Sequence, residues 1–373
     1  MNGRKNMEPT MTANCSYLYG AVPADGAKDF GPIGLDGGNV RAVSDDGIGI
    51  VASHATRIPF AEVAPEKTLQ YLAQHQRVLE RVMLDSPVIP LKFGTYADDE
   101  GQVLEILRVG RNEFAGALDK YADKVEVDLA AVWGNLKSVL AEIASDQAVV
   151  SAKAQIGNQA QATTAQRVRI GQLVKELLDQ KNKAIAERLL VALRTKWRNI
   201  VVNPTRDDSA VLNAAVLIDR AEEAKFDRIL DQLDRCYDSR INFRRVGPLP
   251  PYSFATAEIK TVQRSRLDAA RRALGLGESA SFAEIKAAYR RLLQQVHPDR
   301  NTDPQAADSL KDISAAYRLL EEYALNFKHT FDGHHDAPVI VTVRSLEDLR
   351  AAAITSKRRD PLQRRESVGL AAA

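Results

Sequence analysis

Hydrophobic and polar positions change period several times along this chain, and each change marks an element. Apolar residues gather in Tyr17–Val22 as a strand, and a Gly-rich loop and further strands near Val40–Val43 and Ile48–Ser53 follow. From Pro65 to Leu84 the period becomes helical, with Leu69, Leu72, Leu79 and Val82 inward. Val88–Thr95 predicts a strand broken at its edge by Pro90. Gly101–Lys120 is helical again, and Lys124–Val132 alternates as a strand does. Long helices then occupy Asn135 to Ile200. Their middle, Ser145–Thr164, is Ala/Gln-rich and reads as a flexible or variable insertion. Beyond it Ile170, Val174, Leu177, Leu178, Ile185, Leu189, Leu193 and Trp197 line one helical face. Val211–Ile218 reads as a buried strand, and the next helix turns Phe226, Ile229, Leu230, Leu233 and Tyr237 inward. Ile241–Val246 is a strand that Gly247-Pro-Leu-Pro-Pro251 ends, because proline cannot sustain a ladder.

Strand, helices, strand, helix, strand outlines a ferredoxin-like layer, so the fold class is α+β. The organisation expected is a flexible tail over residues 1–14, an α+β domain over 15–123 and a ferredoxin-like α+β domain with a helical insertion over 124–257. A small all-α hairpin over 264–325 follows, then a mostly flexible tail over 331–373. That tail contains one short apolar run, Val339–Val343, and a capped helix near Ser345–Ile354.

The all-α segment carries the sharpest chemistry. Ile285, Ala288, Tyr289, Leu292 and Val296 form one apolar helix face, opened by Ser281 with Glu284 as a capping box. His297 precedes a proline, which pushes it out of the helical region and ends the helix. Asp303-Pro304 caps a second helix, where Leu310, Ile313, Tyr317 and Leu320 repeat the period. Upstream, Leu267–Leu276 reads as a short helix stopped by Gly275 or Gly277. Two apolar faces of this kind bury against each other, leaving the His297-Pro298-Asp299 turn at the tip of a hairpin. The bland alternative is a helical hairpin with an ordinary His-Pro turn.

This segment resembles a J-domain, the module by which Hsp40-type co-chaperones engage Hsp70 and stimulate its ATPase. The resemblance implies that His297, Pro298 and Asp299, with Lys286, Tyr289, Arg290 and Arg291 on the first hairpin helix, bind an acidic region of Hsp70. Exposed ion pairs contribute only ~0–1 kcal/mol each, so the cations steer and orient the encounter. Many members of that family carry basic residues where Ala287 and Gln295 stand, and an aromatic at Val296, which implies weaker or more selective engagement.

Charge and composition narrow the remaining classes. Lys+Arg 51 against Asp+Glu 49 leaves a formal charge of +2, which points to neither nucleic acid nor an anionic membrane surface. Two cysteines, Cys15 and Cys236, make no disulfide framework or zinc pattern and fit a reducing cytoplasm. The N-terminal segment has charge but no apolar stretch after it, and no run is long enough for a transmembrane helix; neither a signal peptide nor membrane insertion is expected.

A second resemblance covers residues 15–257. Tyr17-Leu-Tyr-Gly20, His75-Gln-Arg-Val-Leu-Glu80, Val88-Ile-Pro-Leu-Lys-Phe-Gly-Thr95 and Gly247-Pro-Leu-Pro-Pro-Tyr-Ser-Phe254 occur in that order. Together they resemble the gas vesicle protein L/F family. Its members are accessory or minor structural proteins, two α+β domains thought to bind the small hydrophobic shell subunit during assembly. That resemblance implies the shell subunit and other gas vesicle proteins as partners, and the cytoplasm and gas vesicle as location.

Other residues point to no chemistry. Gly31-Pro-Ile-Gly34-Leu-Asp-Gly37-Gly38 reads as a mobile loop rather than a phosphate cradle, because Pro32 removes a donor. His75 lies on an inward face and reads as a hydrogen-bonded core histidine. The cations between Lys175 and Arg198 interleave with Glu176, Asp179 and Glu187, as on a solvated helix face. His329, His334 and His335 sit in a polar linker without cysteines, so no metal site is expected. Tyr252 and Phe254 read as packing residues, and no arrangement for nucleophilic catalysis stands out, so neither enzyme activity nor a cofactor is expected. Three readings remain: a gas vesicle assembly factor that recruits Hsp70, a general Hsp70 co-chaperone with another client, and an enzyme or small-molecule sensor on the same layers.

Overall fold

The computed structural model describes residues 12–24, 28–156, 163–296, 306–327 and 339–345. They divide into two compact units, one combining the chain up to Ala122 with Ala255–Arg344, the other built from Asp123–Phe254.

The first unit opens with an antiparallel sheet. Its strands are β1 (Thr12–Pro23), β2 (Asp29–Gly31), β3 (Val40–Asp45), β4 (Ile48–Arg57), β5 (Ile89–Pro90) and β6 (Tyr96–Ala97), with helices α1 (Pro65–Met83) and α2 (Glu100–Tyr121) between and after them. The sheet order is β2-β3-β4-β1-β5, and β6 also pairs with β1. Period-2 alternation decides what β1 presents: Tyr17 and Tyr19 meet α1 residue His75, while Leu18 joins the core under α2. Asp99 caps α2 by accepting from the Gln102 amide at 2.8 Å. Val103, Ile106, Leu107, Phe114 and Leu118 then fall on one buried stripe.

On α1 the buried face is His75, Val78, Leu79, Val82 and Met83. Leu69 and Leu72 were expected inward, but they are 64% and 41% exposed. The helical period continues through these two positions although both stay exposed, while Tyr71 between them packs on Phe60. Of the strand expected over Val88–Thr95, Ile89–Pro90 pairs with β1 as a ladder; the chain then turns to reach β6. The loop around Gly31–Gly38, expected to be mobile, is tied to its surroundings. The Leu35 amide donates to the Tyr19 hydroxyl at 2.8 Å, Gln74 Nε2 donates to the Ile33 carbonyl at 2.6 Å, and Leu35 is buried.

The second unit runs β7 (Lys124–Trp133), α3 (Leu136–Ala144), α4 (Gln147–Ile156), α5 (Thr164–Arg194), β8 (Ile200–Val202), β9 (Ala210–Asp219), α6 (Glu223–Tyr237) and β10 (Ile241–Leu249). Sheet order β10-β7-β9-β8, all antiparallel, is the ferredoxin-like arrangement. β8 has only three residues and escapes any periodicity. Within the Ala/Gln-rich insertion, α4 is anchored by Val149, which is fully buried; residues 157–162 lie outside the described set. The face read along α5 is buried only in part, at Leu178, Leu189 and Leu193. Trp133 and Trp197 donate their indole N–H to Asn182 at 2.7 Å and Glu222 at 2.9 Å.

β10 continues through Pro248 to Leu249 instead of ending at Val246. Its register against β7 shifts between Val246 and Leu249, so a bulge removes the proline from the ladder. Gly247 makes this possible: its φ is +137°, and a β-carbon there would stand 2.9 Å from the Glu126 carbonyl oxygen.

The chain then re-enters the first unit as β11 (Thr256–Thr261), α7 (Arg264–Ala273), α8 (Phe282–Val296), α9 (Ala306–Phe327) and β12 (Val339–Arg344). The apolar run expected in the C-terminal tail is β12. It pairs antiparallel with β11 from Thr256↔Arg344 to Thr261↔Val339. β11 in turn follows Leu91, since the Lys92 amide donates to the Ala257 carbonyl at 2.9 Å. Both faces of this ribbon are buried. Ala257, Val339 and Val341 join the core under α2, while Val262 and Ile340 join the core of α7, α8 and α9. The capped helix expected near Ser345–Ile354 lies outside the described residues, as do the chain's first eleven residues.

Removing residues 339–373 is therefore expected to expose α2 and strip β11 of its partner. Hydrogen exchange read by mass spectrometry will show β11 amides losing protection by about an order of magnitude or more, with β7 and β9 unaffected. Unchanged protection in β11 would show that β12 does not hold this edge.

Candidate functional site

The helical module is built as its sequence pattern dictates. Ser281 and Glu284 close the capping box, the Ser281 amide donating to Glu284 Oε2 at 2.7 Å and the Glu284 amide to Ser281 Oγ at 3.2 Å. α7 stops at Gly275, whose φ is +66°. Ile285 and Ala288 on α8 pack with Ile313, Ala316, Tyr317 and Leu320 on α9. Tyr289 stacks on Tyr317 with ring centroids 4.2 Å apart, and its hydroxyl lies 3.4 Å from Ser314 Oγ. A stacked pair of this kind adds ~0.5–1.5 kcal/mol beyond area burial. Tyr289 is thus half-buried in the α8–α9 seam, with only part of its ring able to meet a partner.

On the opposite side of α8, Lys286, Arg290 and Arg291 are all exposed. Arg291 leans across the end of α7, its Nη2 3.7 Å from where a β-carbon on Gly275 would stand. Lys286 and Arg290 are exposed beside it. Ala287 and Gln295 are also exposed on this helix. The face is a cationic stripe suited to steering an acidic surface into contact. His297, Pro298 and Asp299 lie outside the described residues, as does the side chain of Val296.

The sequence segments that carry the second resemblance converge on two buried polar clusters. In the first unit, the Gly94 amide donates to the Tyr17 hydroxyl at 3.1 Å, which frees the Tyr17 proton for His75 Nδ1, 3.0 Å away. The other ring N–H of His75 then faces the Leu91 backbone, and burial drives its pKa down to about 4. His75 is 2% exposed, neutral and fully partnered, a core histidine. Tyr19 accepts from Leu35 and meets Ser53 Oγ at 2.9 Å. Burial pushes both phenols above their ordinary range, so neither titrates near neutrality.

In the second unit, sequence reasoning missed Glu126. It sits on β7 one residue out of phase with Val125 and Val127, on the strand's other face, yet is 2% exposed. Its carboxyl oxygens receive the Ser253 amide at 2.6 Å and the Ser253 hydroxyl at 2.8 Å, fastening the Pro-rich segment that ends at Phe254. A glutamate within an alternating strand was the available signal. Burial raises its pKa to about 8, and Asp128 beside it is raised as well, chiefly by burial. The contact with Asp128 adds to the rise of Glu126 after burial. No group of His, Cys, Asp and Glu among the described residues could hold a metal ion, and no described helix is long and apolar enough to cross a membrane.

Comparison with known proteins accounts for both parts. Residues 15–256 match the family described as gas vesicle synthesis protein GvpL/GvpF, and residues 272–324 match the DnaJ domain. Gas vesicle protein F of Nostoc sp. is 24% identical over 245 residues, which span 64% of this chain and 97% of that protein. DnaJ homolog subfamily C member 16 of Gallus gallus is 53% identical over 58 residues, 15% of this chain and 8% of that protein. The crystal structure of GvpF from Anabaena sp. PCC7120 superposes with a TM-score of 0.55 at 23% identity, covering 65% of this chain and 98% of that one. That likeness is one of fold.

Glu126 is expected to make the second unit's stability fall with rising pH. Its carboxyl binds a proton more tightly folded, at about 8, than at its ordinary value of 4.5. The stabilisation is complete below that ordinary value and is lost progressively as pH rises through the folded one. Urea unfolding between pH 5 and 9 is expected to show a fall on the order of 2–4 kcal/mol, at up to roughly 1.4 kcal/mol per pH unit. Glu126→Gln keeps an acceptor for Ser253 without the charge and should flatten that slope. An equally steep slope in the variant would assign it elsewhere.

Proposed function

The chain belongs to the GvpL/GvpF family of gas vesicle synthesis proteins and carries a DnaJ domain, and from that premise we propose that it is a gas vesicle accessory factor which holds shell subunits during assembly and recruits an Hsp70 through the DnaJ domain. The observation that carries this reading is the open cationic stripe of Lys286, Arg290 and Arg291, leading into His297-Pro298-Asp299, behind a family match over residues 15–256. Shell subunits present apolar surface before incorporation, and such surface aggregates unless held. Exposed Leu69 and Leu72, adjacent on α1, offer apolar area for holding it. The family match favours this client over the wider clientele of a general co-chaperone. The chain itself would carry no catalytic step; ATP hydrolysis would occur in the partner. Its location would be the cytoplasm and the gas vesicle, with the shell subunit, other gas vesicle proteins and a DnaK-type Hsp70 as partners, and with neither nucleic acid nor a cofactor.

Steady-state ATP hydrolysis by Hsp70 tests the recruiting half. The parent chain should stimulate it, and His297→Gln should return it to basal. Equal stimulation by the two would overturn that half. Pull-down of the shell subunit tests the other half independently: both chains should retain it, and no association with either would remove the cargo.

The cations missing at Ala287 and Gln295 supply a further expectation. Introducing lysine at both positions should lower the concentration for half-maximal stimulation by about 3- to 10-fold at low salt, with the gain shrinking as ionic strength rises. A salt-independent change would mean that the stripe does not act through charge.

A further inference from the structure

The DnaJ domain is attached at both ends. β11 leads into α7, and the chain returns after α9 as β12, hydrogen-bonded to β11 along its length. The ribbon so formed has two buried faces. Val339 and Val341 are 0% exposed against the core of α2, and Ile340, pointing the other way, is 1% exposed against the core of the domain. Polar contacts repeat the connection. Glu322, towards the C-terminal end of α9, meets Lys260 of β11 and Arg344 of β12, each at 3.1 Å. Lys92, beside β5, meets Glu258 of β11 at 2.8 Å.

The contact with α2 is close as well as apolar. Gly110 has no side chain where β12 crosses it, and a β-carbon there would stand 2.8 Å from Val341 Cγ1 and 2.7 Å from Phe114. Such a seat leaves the ribbon little freedom to slide or rock, because packed interiors are not continuously deformable. The first part of α9, with Ser314 and Tyr317, faces α8; its last part, with Glu322, faces the ribbon. The docking stripe on α8 is therefore connected to α2 through one helix and one ribbon, with no flexible joint among the described residues.

We propose that the β11–β12 ribbon is a rigid coupling which fixes the α8 docking stripe relative to the N-terminal sheet, so that an Hsp70 recruited there meets cargo held by that sheet and its helices at one separation and one angle. Gly110 and Val341 are its positioning residues. The proposal rests on the reading given under Proposed function. A domain on a flexible tether would instead present Hsp70 over a volume, at an effective concentration set by tether length.

The coupling can be tested without any partner. Spin labels at Gln70 on α1 and Ala283 on α8, both exposed, in the full chain carrying Cys236→Ser, report the distance between the two elements. One narrow distribution is expected in the parent and a broad one in Gly110→Val, whose added side chain meets Val341. Val341→Asp serves as a second variant, placed in the ribbon itself, in case Gly110→Val disturbs Phe114. An equally broad parent, or equal narrowness in both variants, would overturn the coupling.

Two further readouts address its purpose. Both variants should stimulate Hsp70 ATPase within about two-fold of the parent, since α8 is untouched, while Hsp70-dependent protection of shell subunits from aggregation falls by about 10-fold or more. Undiminished protection would overturn the coupling as a functional device. Cysteines replacing Glu258 and Thr342, opposite one another in the ribbon, supply a lock. The oxidised chain should protect as well as the reduced one; protection lost on oxidation and regained on reduction would mean the ribbon must open. If the parent stimulates no Hsp70, the proposed function fails, and the distance measurement still decides whether the domain is rigidly held.

Discussion

Burying both faces of a single two-stranded ribbon is the constraint on which the first unit depends. A lone hairpin of this size is marginal in water and needs apolar cover to persist. Here α2 covers one face and the α7–α9 core covers the other, so each body supplies surface the other lacks. Sequence alternation makes this possible: Val339, Val341 and Val343 point one way and Ile340 the other, which is why the run reads as continuously apolar rather than alternating. Glu322 adds a charged tie between Lys260 and Arg344 that a shifted register would break.

The buried polar groups do a different job. Tyr17, His75 and the Gly94 amide are distant in sequence, and their hydrogen bonds form only when β1, α1 and the turn after β5 are correctly placed. Glu126 and Ser253 do the same for β7 and the Pro-rich segment of the second unit. Inside a low-dielectric core an unmade hydrogen bond costs about 1–3 kcal/mol, so wrong arrangements are penalised more than right ones are rewarded. The segments that carry the resemblance to gas vesicle proteins thus specify a shape. The charges that face solvent on α8 take no part in that specification, and it is there that we propose a partner docks.

Much of this was legible in the chain. The α8 capping box, the inward Ile285, Ala288 and Ile313, and the ferredoxin-like outline all follow from period and turn chemistry, because these signals are local. What was not legible depended on distant partners. Leu69 and Leu72 keep a helical period at positions the fold leaves exposed, and nothing in α1 itself signals that. Pro248 was read as the end of β10, whereas Gly247 and a bulge carry the strand past it. The Gly-rich loop is ordered by Tyr19 and Gln74, neither adjacent to it in sequence. β12 was visible only as an apolar run in a polar tail, since its partner lies beyond a whole helical domain.

The order of these pieces along the chain has its own consequence. Helices with local contacts form quickly, whereas a strand that closes a distant edge must wait until it has been made. β12 is synthesised after every other described element of the first unit, so α2 stays uncovered at Gly110 until the ribosome has passed Arg344. A chain cut short before that point has its helical domain but an open apolar face. Closure of that surface waits on the last strand of the unit, which makes an exposed α2 the mark of a chain that has not yet reached β12.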